Sequence, residues 1–312
     1  MHPPVYHMVV GACAAVRASG RRLCVPEVPP PRTQYHAAMF GRRRDGVLAK
    51  VPPYRRIMPF LMRGKGESVV LFEQQLDMSR AQPWIEAWNH RTGARATAFH
   101  LVLHAIGRVL HDRPHLNRFV SGRRIYDRRG VFLTFAAKKA MHDDAPLATV
   151  RRGFPAGESF AEMVAALNAD IQLARSDAIS KVDKELGFFL RLPGFVLAAA
   201  VALLRWLDGH GLAPRALIGD DPMYTSAFIA NLGSLKIDAA YHHLYEYGNC
   251  PLFCTVGRLA PAPVVVDGAI EVRPSLVLRY TYDERIEDGF YAASAIAKVR
   301  GWIEDPASWI GH

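Results

Sequence analysis

The chain has 312 residues, of which half are apolar and 22% are charged, and its formal net charge is +10. This length is enough for one large domain or two modest ones, and for a sizeable hydrophobic core. The positive charge favours anionic partners, such as phosphate-bearing molecules, acidic lipid surfaces or nucleic acid. It does not distinguish them from an ordinary solvated basic surface.

Cysteine usage indicates a reducing compartment. No second close pair accompanies the C-x3-C spacing of Cys250 and Cys254, so buried thiols are expected there rather than a zinc site. The other two cysteines are Cys13 and Cys24. The N-terminal apolar run Met8–Val16 has no Lys or Arg before it and no clear cleavage site, so no secretory signal is expected. We therefore expect a cytoplasmic protein.

Residues 1–50 are rich in clustered Pro and Arg and predict a partly irregular arm, after which the chain becomes regular. Apolar periodicity predicts helices at Gln82–Arg91, Thr97–Asp112, Ser159–Ser176, Phe188–Leu207 and Tyr291–Ile303. It predicts strands at Glu67–Asp77, Arg124–Tyr126, Val131–Ala137, Thr225–Ala230, Leu252–Val256, Pro263–Val266 and Leu276–Tyr280. An Arg-Arg-Gly turn separates the second and third of these strands, and the Asp-Gly pair within Val264–Ala269 predicts a hairpin. Irregular mixing of strands and helices, with mostly antiparallel links, indicates an α+β fold.

Five short motifs occur in an order found in one known family. They are Tyr54–Met62 (YRRIMPFLM), Ala96–Asn117 (ending LHDRPHLN), Phe228–Gly233 (FIANLG), Leu252–Leu259 (LFCTVGRL) and Tyr282–Gly289 (YDERIEDG). Together they resemble the catalytic domain of the 2-oxo acid dehydrogenase acyltransferases, the dihydrolipoamide acyltransferases, which share a fold with chloramphenicol acetyltransferase. The resemblance covers roughly residues 54–303.

This resemblance implies a two-layer α/β (α+β) fold in which helices pack on a mixed sheet, with residues 51–312 forming the catalytic domain. It implies homotrimers or cages built from trimers, with a channel at each subunit boundary. Coenzyme A, as free thiol or acyl thioester, would enter one end of the channel and an acyl acceptor the other. Neither a metal nor a nucleic acid is expected.

Two positions depart from the family pattern. Glu284 stands where the family has the histidine that acts as general base, and loss of such a base lowers rates by about 10²–10⁴. Ala230 replaces the serine thought to donate a hydrogen bond to the tetrahedral oxyanion, which costs about 2.7–4 kcal/mol. The family's lipoyl and linker regions also have no counterpart, so a role as the core of a standard dehydrogenase complex is not expected.

The candidate catalytic residues of the signature are Glu284 and Asp288. A partly desolvated Glu284 could serve as base, whereas an ion pair with its neighbour Arg285 would leave it inert. In the family the aspartate is largely architectural and pairs with an arginine, for which Arg55, Arg56 or Arg285 is available.

The segment Ala240–Asn249 contains two histidines, three tyrosines and a glutamate. In the family's motif order it falls on the acceptor side of the channel, so His242 or His243 could replace the missing imidazole. Tyr241 and Tyr245, with Asn231, are the candidate substrate-binding residues. The alternative is a polar subunit contact with packed rings.

Other patterns indicate structure more than chemistry. His100 and His104, four residues apart on one predicted helix, are expected in a core or interface rather than on a metal. The basic sites Arg42–Arg44, Arg123–Arg124 and Arg128–Arg129 could attract coenzyme phosphates. They lack the module that nucleic-acid binding requires.

Residues 186–220 are an apolar helical insertion relative to the family. Arg191, Pro193 and Arg205 make this stretch a poor membrane span. Packing within an oligomer is the favoured expectation. The alternatives are that it covers the channel, binds an acyl chain or makes peripheral membrane contact through residues 186–207. Two functions remain open: a divergent coenzyme A-dependent acyltransferase, or a non-catalytic trimer that scaffolds a partner or binds a ligand.

Overall fold

A computed structural model of the chain describes residues 43–138, 147–175, 193–214 and 218–311, which belong to one unit, Phe40–His312. Most of the predicted arm, with Cys13, Cys24 and Arg42, lies outside the described residues. Its end is described, and there Gly46–Leu48 forms a short strand.

The strands are β1 Gly46–Leu48, β2 Val69–Asp77, β3 Phe119–Ser121, β4 Arg124–Arg128, β5 Phe132–Lys138, β6 Leu147–Gly153, β7 Ala227–Asn231, β8 Leu252–Val266 and β9 Ala269–Asp283. The helices are α1 Pro53–Leu61, α2 Ala81–Thr92, α3 Ala98–Asp112, α4 Phe160–Arg175, α5 Gly194–Gly209, α6 Gly289–Glu304 and α7 Ala307–Ile310. Short 3₁₀ turns occupy Pro114–Asn117 and Gly233–Leu235.

The strands form two sheets. Six strands lie in the order β2-β9-β8-β7-β5-β6, with β7 parallel to β5 and β8 and the remaining pairs antiparallel. A smaller sheet has the order β1-β4-β3. The mixed sheet of the predicted α+β fold is therefore present. Strands β4 and β5, predicted on either side of one turn, belong to different sheets, so they do not form a hairpin.

The longest feature of the large sheet is the β8–β9 hairpin. The two strands predicted at Leu252–Val256 and Pro263–Val266 are one strand, β8, with an irregularity between Val256 and Leu259. At its tip, Asp267 and Gly268 have φ of 50° and 83°, the two positive values that a two-residue type I′ turn requires. The predicted Asp-Gly hairpin is confirmed.

The main core lies between one face of the large sheet and a layer of helices. Leu278 and Tyr282 of β9 point into it, and α3 contributes an almost continuous run of buried side chains. His100 and His104 lie in this layer, as the sequence predicted. The His104 ring stacks on Trp309 with centroids 5.0 Å apart, and burial lowers its pKa to about 4, so it is a neutral core ring at physiological pH.

Helix α5 is the described part of the predicted apolar insertion, and it begins directly after Pro193. Its large apolar side chains are exposed, including Phe195 at 77%, Leu203 at 57% and Trp206 at 54%. Residues 186–192 and 215–217 of this region lie outside the described part of the chain. No helix within the described ranges is long and apolar enough to cross a membrane.

Candidate functional site

The signature turn joins the end of β9 to the start of α6. Asp288 occupies the N-cap of α6, where its Oδ1 accepts a hydrogen bond from the Tyr291 amide at 2.9 Å. An aspartate is favoured at this position because it satisfies a free backbone N–H and lies at the positive end of the helix dipole. The N-cap hydrogen bond therefore stabilises the turn locally, and Asp288 has an architectural role.

Glu284 is fixed in this turn by its backbone. Its amide donates to the Ser68 carbonyl at 2.8 Å, and its carbonyl accepts from Arg55 Nη1 at 2.8 Å. The side chain is half-buried, and none of the described residues forms a hydrogen bond or ion pair with its carboxylate. This carboxylate is therefore held at the strand end with its oxygens available.

The alternative in which Arg285 neutralises Glu284 is wrong. Arg285 instead pairs with Asp283, at 2.8 Å from Nε to Oδ1 and 2.7 Å from Nη2 to Oδ2, and both side chains are buried. The guanidinium also donates to the carbonyl of Met62 at 3.2 Å. This bidentate pairing uses the donors of Arg285 and leaves Glu284 unpaired.

A second group of charges braces the turn from the side of α1. Arg55 Nη2 lies 3.5 Å from Glu287 Oε1 and 3.8 Å from Asp288 Oδ2, so Arg55 is the arginine expected near this aspartate. Glu287 also contacts Arg118 at 3.0 Å and His115 at 2.8 Å. The turn is consequently held by several ion pairs, while Glu284 takes part only through its backbone.

Tyr282 is a neighbour of Glu284 that the sequence did not single out. Its ring stacks on Phe72 with centroids 6.0 Å apart, and its hydroxyl lies 3.8 Å from where a Cβ on Gly289 would be. Burial raises the pKa of Tyr282, and the charge of Glu284 raises it further. The hydroxyl therefore stays protonated and can donate a hydrogen bond. Alternation along β9 was the signal that placed this side chain on the core face.

The histidines of the aromatic segment form a ring stack. His242 lies flat on Phe253 at 3.9 Å between centroids and on His243 at 4.7 Å, with Tyr245 tilted against it at 5.5 Å. His242 Nδ1 is 2.7 Å from the His243 carbonyl, which can only accept, so Nδ1 carries the hydrogen. This leaves the lone pair of Nε2 free to take up a proton.

The predicted substrate-binding residues differ in their exposure and in their contacts. Tyr241 is 48% exposed beneath the guanidinium of Arg279, 4.5 Å from its ring centroid. Asn231 caps the turn after β7, accepting from the Ser234 amide at 3.1 Å. Ala230 is half-buried and packs against the small apolar cluster around Phe228. Its side chain cannot donate a hydrogen bond.

Glu284 and Asp288 share one turn, and His242, His243 and Tyr245 share one stack. Within the described residues, no hydrogen bond, ion pair or ring contact joins the two groups. The Thr281 hydroxyl donates to the His242 carbonyl, and Thr281 lies three residues, about 10 Å of strand, before Glu284. Thr281 and Tyr282 point to opposite faces of the sheet, and within the described residues of one protomer Glu284 forms no side-chain hydrogen bond with His242 or His243.

Lys65 was also missed by the sequence. It is only 5% exposed, and its Nζ donates to the carbonyls of Tyr245 at 2.8 Å and Gly248 at 3.0 Å. Burial lowers its pKa. No pattern signals such a residue, because its partners are carbonyls from a distant loop. Its effect is to fasten the aromatic segment to the chain just before β2.

In the described part of the chain, no group of three or more His, Cys, Asp or Glu side chains is arranged to hold a metal ion. Cys250 and Cys254 are free and buried, as predicted, and burial raises the pKa of both thiols. They are therefore poor nucleophiles.

Sequence comparison gives a family match in the C-terminal part of the chain. Residues 221–310 match the sequence model described as 2-oxoacid dehydrogenases acyltransferase (catalytic domain). The predicted family resemblance is confirmed. The lipoamide acyltransferase component of the branched-chain alpha-keto acid dehydrogenase complex of Pseudomonas putida is 44% identical over 61 residues. This acyltransferase match spans 19% of the chain and 14% of the relative's own length.

Solved structures extend the acyltransferase likeness to most of the fold. The dihydrolipoamide acetyltransferase of Azotobacter vinelandii aligns with a TM-score of 0.54 at 17% identity, over 91% of this chain and 99% of that one. Chloramphenicol acetyltransferase aligns with a TM-score of 0.51 at 13% identity, over 83% and 99%. The fold is chloramphenicol acetyltransferase-like, as predicted.

Proposed function

We propose that this protein is a divergent coenzyme A-dependent acyltransferase in which Glu284 is the general base. The observation that carries the proposal is the unpaired, half-buried Glu284 carboxylate, which two backbone hydrogen bonds hold at the end of β9. A carboxylate kept free of the many arginines around it is available to accept a proton. The family match over residues 221–310 supports acyl transfer as the reaction class.

The reaction needs one proton acceptor near the attacking atom. The acceptor hydroxyl or thiol gives its proton to Glu284 as its oxygen or sulfur bonds to the thioester carbonyl carbon. The tetrahedral intermediate then collapses, the carbon–sulfur bond breaks, and the departing coenzyme thiolate takes the proton back.

The Azotobacter enzyme offers a comparison, because its structural study concerns the role of a serine, a histidine and an asparagine in the catalytic mechanism. That histidine and asparagine lie four positions apart, as Glu284 and Asp288 do here. The alanine at position 230 supplies no side-chain donor for an oxyanion, so backbone groups would have to stabilise it. We therefore propose a slow enzyme.

Replacing Glu284 with glutamine is expected to lower the rate of acyl transfer by about 10²-fold or more, because the amide cannot take up a proton. The measurement is release of free thiol from acetyl- and longer acyl-coenzyme A with a panel of hydroxyl and thiol acceptors. Glu284→His should keep a measurable rate, since an imidazole is also a base. Glu86→Gln, an exposed change on α2, serves as the matched control.

The alternative function, a non-catalytic scaffold or ligand-binding protein, is favoured by the presence of alanine at position 230 and glutamate at position 284. Coenzyme binding without thiol release from any thioester would support it and reject the enzyme. Failure to bind coenzyme A would reject it as the substrate. It would also reject the idea that the basic surface attracts coenzyme phosphates. If Glu284→Gln keeps the parent rate and His242→Ala is inactive, then the general base is His242 of the ring stack and not Glu284.

We also propose that the protein associates with copies of itself, as a trimer or a multiple of trimers. On α1, Tyr54, Ile57 and Leu61 form an exposed apolar stripe at helical spacing, being 60%, 51% and 65% exposed. The guanidinium of Arg55 lies over the Tyr54 ring of this stripe, 5.4 Å from its centroid, and donates to the carbonyl of Glu284. A second protomer covering this stripe would therefore lie near the site, as a channel between subunits requires.

Ile57→Glu together with Leu61→Glu is expected to shift the assembly toward the monomer, because it places charge in an apolar contact. Sedimentation velocity measures the change, and Leu173→Glu, on the exposed face of α4, is the control. A monomeric parent protein would reject the assembly.

The apolar surface of α5 is a candidate for peripheral membrane contact, and co-sedimentation with anionic vesicles tests that role.

A further inference from the structure

A cleft rich in arginine lies away from the Glu284 turn. It has a volume of about 800 Å³ and is bordered by the start of the described chain, the end of β4, β6, residues 211–214, residues 218–220 and Tyr224. Its lining includes five arginines: Arg43, Arg44, Arg128, Arg129 and Arg151. The volume is in the range of small-molecule sites. Which of these arginines are paired with carboxylates decides the charge of the ligand that the cleft can bind.

One of the five arginines is already neutralised. Arg43 lies 2.8 Å from a carboxylate oxygen of Asp45 and 2.8 Å from one of Asp208. Two of the three carboxylates that line the cleft are therefore used by this one guanidinium. Asp220, which is exposed, is the third. The cleft retains an excess of positive charge from its other four arginines.

Arg128 is held rigidly without a carboxylate. Its guanidinium lies over the Phe119 ring, 4.4 Å from the centroid, and Nη2 donates to the backbone carbonyl and side-chain oxygen of Asn249 at 2.9 and 3.0 Å. Its Nε is shielded from solvent and has no hydrogen-bond partner. Burial lowers its pKa to about 10 despite the opposing charge of Asp45. Arg128 therefore stays charged at neutral pH with incomplete compensation.

Arg151 is arranged in a similar way. It lies over the Phe132 ring at 4.1 Å, while Nε and Nη1 donate to the carbonyls of Tyr224 and Gly219, each at 3.0 Å. No carboxylate among the described residues is within ion-pair distance of it. Two guanidinium groups are thus fixed by aromatic faces and carbonyl oxygens, and neither forms an ion pair with a carboxylate among the described residues, although the charges of Asp45, Asp220 and Asp221 act on Arg151 from farther away. A desolvated charge in that state is costly until an anion binds.

We propose that this cleft binds a ligand through at least two phosphate groups, with Arg128 and Arg151 as the inner contacts and Arg44 and Arg129 at the rim. Planar guanidinium groups match the oxygens of phosphate and bond them in pairs, which lysine does not do. The stacked rings keep the two inner side chains in place, so little rotamer entropy is lost on binding. The inference depends on these four arginines and not on the acyl transfer proposed above.

Inorganic pyrophosphate is the first probe, and its binding to the full chain is measured by calorimetry. Arg44→Gln together with Arg129→Gln changes exposed rim residues, so folding should be preserved, and binding should weaken about tenfold or more. Arg151→Gln should weaken it further. Arg91→Gln, an exposed arginine on α2, is the matched control and should bind like the parent.

Coenzyme A and dephospho-coenzyme A, each added in competition with pyrophosphate, identify the source of the phosphates. Displacement by coenzyme A assigns the cleft to coenzyme phosphates, and a weaker effect of the dephospho form locates the third phosphate there. Pyrophosphate binding that coenzyme A does not displace assigns it to another phosphorylated ligand. The proposal is overturned if pyrophosphate does not bind at millimolar concentration, or if the rim and control variants bind equally.

Discussion

Replacing Arg285 with leucine is expected to lower the free energy of unfolding by about 3–5 kcal/mol. The change removes the guanidinium that pairs with Asp283, whose side chain is 1% exposed, and leaves that carboxylate with little besides the Arg285 backbone amide at 3.1 Å. A buried charge without its partner retains the full cost of leaving water. Urea unfolding at neutral pH measures the loss.

Arg279→Leu is the matched control for this pair. Arg279 on β9 bonds Glu73 on β2 at 2.6 Å, but the two side chains are 29% and 45% exposed, so the pair should contribute under about 1 kcal/mol. Adding Asp283→Asn to Arg285→Leu should recover part of the stability, because the orphaned charge is gone. Equal losses in the two single variants would show that burial does not determine the strength of these pairs.

Replacing Gly122 with alanine is expected to destabilise the protein by about 2–5 kcal/mol. A Cβ at this position would lie 1.8 Å from the Gly209 carbonyl oxygen at the end of α5, and Gly122 has a φ of 55°. Both the contact and the backbone conformation oppose a side chain. The helix end must move, which disturbs the Arg43–Asp208 ion pair beside it.

Gly93→Ala separates these two effects. Gly93 has a similar φ of 69°, at the end of α2, but a Cβ there would meet nothing within 4 Å. This control should lose only the conformational contribution, about 1–2 kcal/mol. Thermal or urea unfolding of both variants gives the comparison. If Gly122→Ala loses no more than Gly93→Ala, then α5 is not packed closely against the β3–β4 turn.

The elements that local pattern predicted well are those with strong periodicity or defined turn chemistry. Helix α3 and the Asp267–Gly268 turn are examples, because apolar spacing and positive φ are properties of the local sequence. The sheet assignment of β4 and β5 could not be predicted in this way. Their partners lie far away in the chain, so the adjacent strands enter different sheets.

At the candidate site, the sequence identified Glu284, and the structure shows that Arg285 turns to Asp283 instead. That choice depends on a buried hydrogen-bonding arrangement that no spacing rule contains. The same applies to Lys65, whose partners are backbone carbonyls, and to Arg151, which forms no ion pair with a carboxylate in the described part of the chain. The family resemblance could therefore be predicted from short motifs, whereas the individual contacts at the candidate site could not.

The order of strands in the large sheet has a consequence for biosynthesis. The edge strand β2 pairs with β9, joining Val69 to Asp283. Strand β2 must wait until β9, about 200 residues further along the chain, has been synthesised before its hydrogen bonds can form. Unpaired strand edges promote aggregation, and pairing across such a distance is slow. Truncation before β9 should therefore yield insoluble product, and chaperone supply should limit expression of the intact protein.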